Sequence, residues 1–470
     1  MLGKIYDKKE YCGVFGICGH DLAVDLTYLG LYSLQHRGEE SCGIAASTGK
    51  KLHQINGMGL VSEVLTRERL KGFKGRTAIG HVRYSTTGSS ILRNAQPFVI
   101  SHNKISLSIA HNGNLTNAVN LRKELEKSGS IFQTTMDSEL VLHLLVRSEK
   151  KSLEDRVVDA MKQCDGAYTM LFLSEDKIIG VRDPRGFRPL CLGKKDGSFV
   201  LASETCALDI IEAEFIREIE PGEMVVISEK GMIAIKPFEK RQSSPCIFEF
   251  IYFARPDSRI FGASVYQVRK LLGKKLAREH PVDADMVISI PDSGNCAALG
   301  YAQESGLPFD FGIVRNHYVG RTFIQPTHEM RSHGVKIKLN PIREVLKGKR
   351  VVVVEDSIVR GTTTEGRIKA IRAAGAKEIH MRISCPPIKY PCFYGIDFPN
   401  RKELIANRLS SIEKIAEFIG VDSLRYLSRE GMIEAVAGAG AGADKFCTAC
   451  YDGAYPTKVK KRAMKSPFER

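Results

Sequence analysis

The sequence predicts two halves of different architecture: an α+β sandwich over residues 12–240, then an α/β domain with a mostly parallel sheet over 241–470. Three observations carry this. Before residue 240, apolar runs are short and divided by Gly and Asn turns, as at 13–17, 77–82, 105–110, 168–173 and 178–181. Helical patterns at 118–127 and 137–147 stand between only some of these runs, which indicates a sandwich rather than βαβ units. After the polar break at 241–245 the pattern changes to alternation: helix 265–279, strand 286–290, helix 296–305 and strand 311–314. Strand 350–354, helix 365–374 and strand 378–383 continue it. The third observation is the run VVVV at 351–354, apolar without alternation, which fits a doubly wound parallel sheet buried on both faces. The Gly/Ala run at 435–443 reads as a flexible connector, because small residues bury little.

Composition bounds the function. A chain of 470 residues exceeds one core, and 43% hydrophobic with 26% charged residues is ordinary for a soluble globular protein. No apolar run approaches the roughly 18 residues that span a bilayer. The first eleven residues are charged and lack the apolar stretch of a secretory signal, so a cytoplasmic protein with no membrane partner is expected. The net charge of +15, with Lys458, Lys460, Lys461, Arg462 and Lys465 near the end, suits anionic partners. Trp is absent and aromatics are scattered, so no stacking platform for single-stranded nucleic acid is evident, and charge alone does not choose between nucleic acid and phosphorylated small molecules. Twelve cysteines are many for a reducing compartment, which points to metal binding or chemistry for some.

Cys12 opens the run CGVFGI, and four segments follow: LQHRGEES at 34–41, GHVRYST at 80–86, HNGNLTN at 111–117 and TTMDSE at 134–139. Alone, a Cys before Gly is usually a small core residue and HNGN an Asn-Gly hairpin turn. Together and in this order they resemble the N-terminal-nucleophile (Ntn) glutamine amidotransferases. The resemblance implies an Ntn hydrolase sandwich, with residues 1–11 a propeptide whose removal makes Cys12 the first residue and nucleophile. The freed α-amine, with a pKa near 8, then serves as local base. It further implies that Arg83 grips the α-carboxylate of glutamine, where a planar guanidinium fits bidentately. Asp137 would meet the α-ammonium, and Asn112 with the Gly113 N–H would form the oxyanion hole.

The segment VVVVEDSIVRGTTTEG at 351–366 places two carboxylates at the end of a buried strand, then a Ser/Gly/Thr loop entering a helix. Ligands of open α/β sheets sit beyond strand carboxyl ends, and a helix N-terminus favours phosphate. This resembles the phosphoribosyl pyrophosphate motif of type I phosphoribosyltransferases. The resemblance implies that Glu355 and Asp356 hold ribose and Mg²⁺, while Ser357, Arg360, Gly361, Thr362, Thr363 and Thr364 cradle the 5′-phosphate. That family often has Asp where Glu355 stands. The segment PDSG at 291–294 offers N–H groups to pyrophosphate, and Ser293 would join the Mg²⁺ site. The long basic stretch 316–338 reads as a lid that brings Arg321 towards the phosphates.

Cys447 and Cys450 form a C-x-x-C pair, and Cys246 and Cys392 each follow a proline. Spacing leaves zinc and a [4Fe–4S] cluster open. The chain as a whole, to about residue 456, resembles the amidophosphoribosyltransferase family, one subgroup of which has both a cleaved leader and a [4Fe–4S] cluster held by cysteines at these four places. Cys18, Cys42, Cys164, Cys191, Cys206, Cys296 and Cys385 are assigned to the core, Cys385 being the nearest competitor of Cys392. The implied reaction hydrolyses glutamine at Cys12 and transfers the ammonia to phosphoribosyl pyrophosphate. Its products are 5-phosphoribosylamine, glutamate and pyrophosphate, at the first committed step of purine synthesis. Feedback by purine nucleotides and a homotetramer are implied with it. A glucosamine-6-phosphate synthase would need sugar isomerase domains in place of the segment at 351–366. A regulatory protein without catalysis would not need the glutaminase set.

Overall fold

The computed structural model describes residues 12–84, 90–102, 105–316, 339–398, 400–442 and 445–459. The leader at 1–11, the stretch 317–338 with Arg321, and the basic residues from 460 onwards lie outside the described residues.

Among the described residues, the first half contains two antiparallel sheets. Its strands are β1 (Gly13–Cys18), β2 (Ser41–Ser47), β3 (Leu52–Met58), β4 (Thr77–Arg83), β5 (Phe98–His102), β6 (Ile105–Leu115) and β7 (Gly166–Leu173). They continue with β8 (Lys177–Arg182), β9 (Cys191–Lys195), β10 (Ser198–Ala202), β11 (Glu214–Glu218), β12 (Met224–Ser228) and β13 (Gly231–Ile235). One sheet has the order β11-β9-β10-β1-β4-β2-β3, the other β13-β12-β8-β7-β6-β5.

Period-two alternation builds the layers. Along β1, Val14 and Cys18 pack between the sheets with Ile79, Leu171 and Leu201, whereas Phe15 and Ile17 pack outward against Leu26 and Leu31 of helix Ala23–Ser33. Helices Ala118–Lys127, Ser138–Arg147 and Leu153–Met161 cover the other sheet through Leu121, Leu140, Leu144 and Val157. The result is an α–β–β–α sandwich. HNGN lies within β6 and pairs with β7, so it is strand and not a turn.

The second half carries β14 (Arg259–Ile260), β15 (Ala263–Ser264), β16 (Met286–Ser289), β17 (Ile313–Arg315), β18 (Leu339–Pro341), β19 (Arg350–Glu355), β20 (Glu378–Ile383) and β21 (Ser423–Tyr426). A parallel sheet β16-β19-β20-β21 forms its centre, with the valines of β19 fully buried. Three expectations need correction. The strand expected at 311–314 lies at Ile313–Arg315 and pairs antiparallel with β18, outside the parallel sheet; only Phe309 bridges to Val287 of β16. Polar Asp310 and an exposed Phe311 interrupt the run before it can extend that edge. The run at 435–443 is no connector at its start, because helix Arg429–Gly438 continues through it and buries Ala435 and Val436 against the core. Helix Thr362–Ala373 begins three residues before the expected Glu365, so the threonines form its first turn.

A buried charge network joins the halves. Arg37, Arg188, Glu204 and Glu249 are all 0% exposed. Arg37 Nη2 and Arg188 Nη1 each donate to Glu249 Oε1 at 2.9 Å, and Arg37 Nη1 donates to Glu204 Oε1 at 2.5 Å. Glu204 also accepts from the Arg255 N–H at 2.9 Å and the Ser258 hydroxyl at 2.7 Å. Desolvating such charges is costly, and removing one member leaves the others uncompensated, typically at about 3–5 kcal/mol.

Burial by itself would raise the pKa of Glu204, but His36 and Arg37 outweigh it and hold the carboxyl below its ordinary 4.5. The folded value being depressed, ionised Glu204 stabilises the fold above about pH 4.5, and that stability is lost as pH falls further. Thermal unfolding between pH 7 and 3 should therefore show a steeper acid decline for the unaltered chain than for Glu204→Gln. Parallel declines would remove Glu204 from the network's acid response.

Candidate active sites

The first site is built at the end of β1. Cys12 immediately precedes the strand, is buried, and its Sγ lies 3.7 Å from the Tyr84 carbonyl oxygen. The β1–β4 and β2–β4 registers set Arg83 beside it, opposite Ser41. Arg83 is buried and paired with Glu40 at 2.7 Å. Burial pushes the Cys12 thiol up to about 11, further than the Tyr84 carbonyl contact and the Arg83 charge pull it down. Asp137 and Glu40 also act on it, so nucleophile, cation and anions share one enclosed region.

Strand β6 supplies the opposite wall. His81 Nε2 donates to the His111 carbonyl at 2.9 Å, tying β4 to β6 across the sandwich. Burial lowers the His81 pKa to about 3, so this ring is neutral. The next residue, Asn112, is 0% exposed, and among the described residues neither its amide nitrogen nor its oxygen has a hydrogen-bond partner. Leaving such a group unpaired costs about 1–3 kcal/mol, which is explained if a ligand completes it. Gly113 has φ +147°, and a Cβ there would stand 2.0 Å from the Ala167 oxygen, so no side chain fits. Asp137 accepts from the Leu115 N–H at 2.8 Å and lies 3.3 Å from His111 Nδ1. Burial would raise its pKa, but His111 and backbone N–H groups win and keep it ionised, as a partner for an ammonium must be.

The second site follows from strand order. The chain leaves β16 towards one edge, where Phe309 bridges to it, and returns to β19 on the other side. That reversal is the switch point at which open α/β sheets bind ligands. There Ser293, following β16, donates its hydroxyl to Asp356, and Ser357 donates to the other Asp356 oxygen at 2.5 Å. Asp292, joined to Pro291 by a cis peptide bond, pairs with Arg315. Glu355 faces a different neighbourhood, accepting from Arg367 at 2.6 Å and from Thr364 at 3.5 Å. Asp356 thus faces the 291–294 loop and Glu355 the following helix. Arg360 pairs with Glu403 at 2.9 Å. Thr362, Thr363 and Thr364 open the helix, where N–H groups lack intrahelical acceptors and attract phosphate.

The segments that carry the four cysteines also meet. Cys246 and Cys447 bridge as neighbouring parallel segments, the Cys447 N–H donating to the Pro245 carbonyl at 2.8 Å. The Cys450 carbonyl accepts from the Lys389 and Tyr390 N–H groups, which brings the Cys392 segment alongside. Burial pushes the Cys246 thiol up to about 12, with Cys392 adding to the rise. Burial likewise raises the Cys447 and Cys450 thiols well above their ordinary value, and each also feels Cys246 and Cys392. Among the described residues no three His, Cys, Asp or Glu side chains form a ready site for one metal ion. All twelve cysteines are unbridged.

Several participants escaped the sequence reading. Arg37, Glu40 and His111 lie inside the quoted motifs without a role read for them, and Glu249 and Arg367 offered no signal. Arg321 lies outside the described residues.

Residues 81–209 match the family model described as a glutamine amidotransferase domain. The chain is 52% identical over 459 residues to amidophosphoribosyltransferase 1, chloroplastic, of Arabidopsis thaliana, covering 97% of this chain and 80% of that one. It is 48% identical to the Bacillus subtilis amidophosphoribosyltransferase, over 98% of this chain and 97% of that protein. The chain belongs to the amidophosphoribosyltransferase family. A solved structure of the Bacillus subtilis glutamine phosphoribosylpyrophosphate amidotransferase, complexed with ADP and GMP, superposes with a TM-score of 0.91. It shares 46% identity, over 97% of this chain and 100% of that one. Membership accounts for an amidotransferase sandwich and a phosphoribosyltransferase sheet in one chain. Among the described residues no helix is long and apolar enough to cross a membrane.

Gly361 enters the threonine turn at φ +83°, and a Cβ there would meet Ile405 Cδ1 at 2.3 Å. Gly361→Ala should therefore destabilise this amidophosphoribosyltransferase by about 1–3 kcal/mol, read as a lowered midpoint in thermal or denaturant unfolding.

Proposed function

We propose that this chain hydrolyses glutamine at Cys12 and uses the released ammonia to make 5-phosphoribosylamine from phosphoribosyl pyrophosphate, as the first committed step of purine synthesis. The observation that carries this is the enclosure of Cys12 with Arg83 and Asp137, each near enough to shift its thiol. Arg83 takes the α-carboxylate of glutamine and Asp137 its α-ammonium, which aims the side-chain amide at Cys12 Sγ. Attack breaks the carbonyl π bond, and the oxyanion is met by the Asn112 amide and the Gly113 N–H. Collapse expels ammonia and leaves a glutamyl thioester, which water cleaves to glutamate.

A thiol pushed up to about 11 needs a base at neutral pH. Loss of residues 1–11 would supply one, because the α-amine of Cys12 titrates near 8. At the second site ammonia displaces pyrophosphate from C1 of the ribose. Asp356 and Ser293 would hold Mg²⁺, with Glu355 beside them, and its charge would offset that of the departing pyrophosphate, while Ser357 and Arg360–Thr364 hold the 5′-phosphate. Excluding water between the sites keeps ammonia unprotonated and nucleophilic.

Cys246, Cys392, Cys447 and Cys450 would hold one [4Fe–4S] cluster through their thiolates. Cys246, Cys447 and Cys450 are buried and Cys392 is half-buried, and backbone contacts bring their segments to one place. A reducing cytoplasm suits twelve unbridged cysteines. Purine nucleotide feedback follows the nucleotides held by the Bacillus subtilis structure, and a homotetramer rests on family resemblance.

Cys12→Ala should lower glutamine-dependent synthesis at least about a thousandfold while leaving ammonia-dependent synthesis within about a factor of two. Loss of both activities together would refute the division of chemistry between the halves. For freshly made protein, intact mass and visible absorption should show a brown species that begins at Cys12. A colourless, zinc-bound chain that keeps Met1 would overturn both the cluster and the processing.

A further inference from the structure

The phosphoribosyl half reaches into the glutaminase half at the oxyanion strand itself. Asn114, next to Gly113 on β6, donates from Nδ2 to the Phe393 carbonyl at 2.9 Å, across 279 positions of sequence. Two residues on, Gly395 has φ +103°, and a Cβ there would come within 3.2 Å of both the carbonyl carbon and oxygen of Gly113. Between them, the Tyr394 carbonyl accepts from Arg188 Nη2 at 2.5 Å, and the Tyr394 ring stacks on Phe187 with centroids 4.2 Å apart. The Tyr394 hydroxyl accepts from the Thr457 N–H at 3.0 Å. The turn 393–395 is therefore held by Arg188 and Phe187 of the glutaminase half and by Thr457 of its own half, and it meets the oxyanion strand at Gly113 and Asn114.

We infer that the turn 393–395 fixes the Gly113 peptide, making Asn114 and Gly395 positioning residues for the glutamine half-reaction. The inference rests on reading Gly113 and Asn112 as the oxyanion hole. Neither Asn114 nor Gly395 touches the reacting atoms. Their effect is geometric: an oxyanion donor works only within a few tenths of an ångström of its place, and small displacements from remote changes cost about a hundredfold. Gly113 cannot brace itself, since it carries no side chain and sits at a positive φ.

The test compares Asn114→Ala, Gly395→Ala and Asn112→Ala in the full-length protein, assayed with glutamine and separately with ammonium salts. Asn114→Ala is expected to lower the glutamine kcat about ten- to a hundredfold, with little change in glutamine KM and none in ammonia-dependent kcat. The KM should hold because the ground-state grips at Arg83 and Asp137 are untouched, and a purely structural defect would not separate kcat from KM. Asn114→Gln, which can still donate, should recover part of the loss. Gly395→Ala should reproduce the same split through a clash rather than a lost hydrogen bond. An unchanged glutamine kcat in both Asn114→Ala and Gly395→Ala, with Asn112→Ala impaired, would overturn this inference alone. Equal loss of both activities in the two variants would overturn it too, as general unfolding. An unimpaired Asn112→Ala would overturn the oxyanion reading and this inference with it.

Discussion

Glu249 bonded to two arginines in the dry interior is the constraint on which the two-site arrangement depends. Its carboxylate belongs to the second half, while Arg37 and Arg188 belong to the first. Arg37 extends the effect, because its Nε donates to the Cys12 carbonyl at 3.0 Å. The backbone of the nucleophile is thus anchored, through one guanidinium, to the domain that holds the other site. Buried ion pairs are poor sources of net stability, since desolvation offsets most of the attraction. What they do well is refuse alternatives: any shift between the halves strands at least one charge without a partner. An apolar interface would tolerate sliding; this one does not.

At both sites strands carry polar groups to buried positions. Asn112 is fully buried with neither polar atom paired among the described residues, and Asp356 is held by two serine hydroxyls at the sheet's switch point. Asp183, which holds a turn of the fold, instead accepts from the N–H groups of Tyr168, Arg185 and Phe187. Arg83 is paired with Glu40.

How much of this the sequence disclosed depends on the range over which each signal acts. The valines of β19 and the helix Val265–Glu279 were legible because their burial pattern is local. The motifs marked candidate site residues because polar and charged types stand close together in a fixed order. Local reading failed where neighbours in space overruled neighbours in sequence. Phe311 and Val314 have strand character, yet the parallel sheet gains only Phe309 at that edge. Ala435 belongs to a helix because its face is covered by a distant core, which composition cannot reveal. Arg37 and Glu249 are 212 positions apart, and an isolated Arg or Glu looks like a surface residue until the fold encloses it.

The place of Cys447 in the fold has a consequence for how the chain is made. Residues 12–235 contain every strand of the sandwich, so that layer can close while the ribosome is still translating the rest. The second half has no such early completion. Its segment at Cys246 is bridged by Cys447, whose N–H caps the Pro245 carbonyl and whose own carbonyl receives the Ile247 N–H. Those backbone groups, and the Thr457 contact to Tyr394, wait for residues 447–457 to emerge. Synthesis order therefore separates a sandwich able to form early from a domain whose seam closes only after residue 447. A chain cut before Cys447 would leave its second half open along that seam.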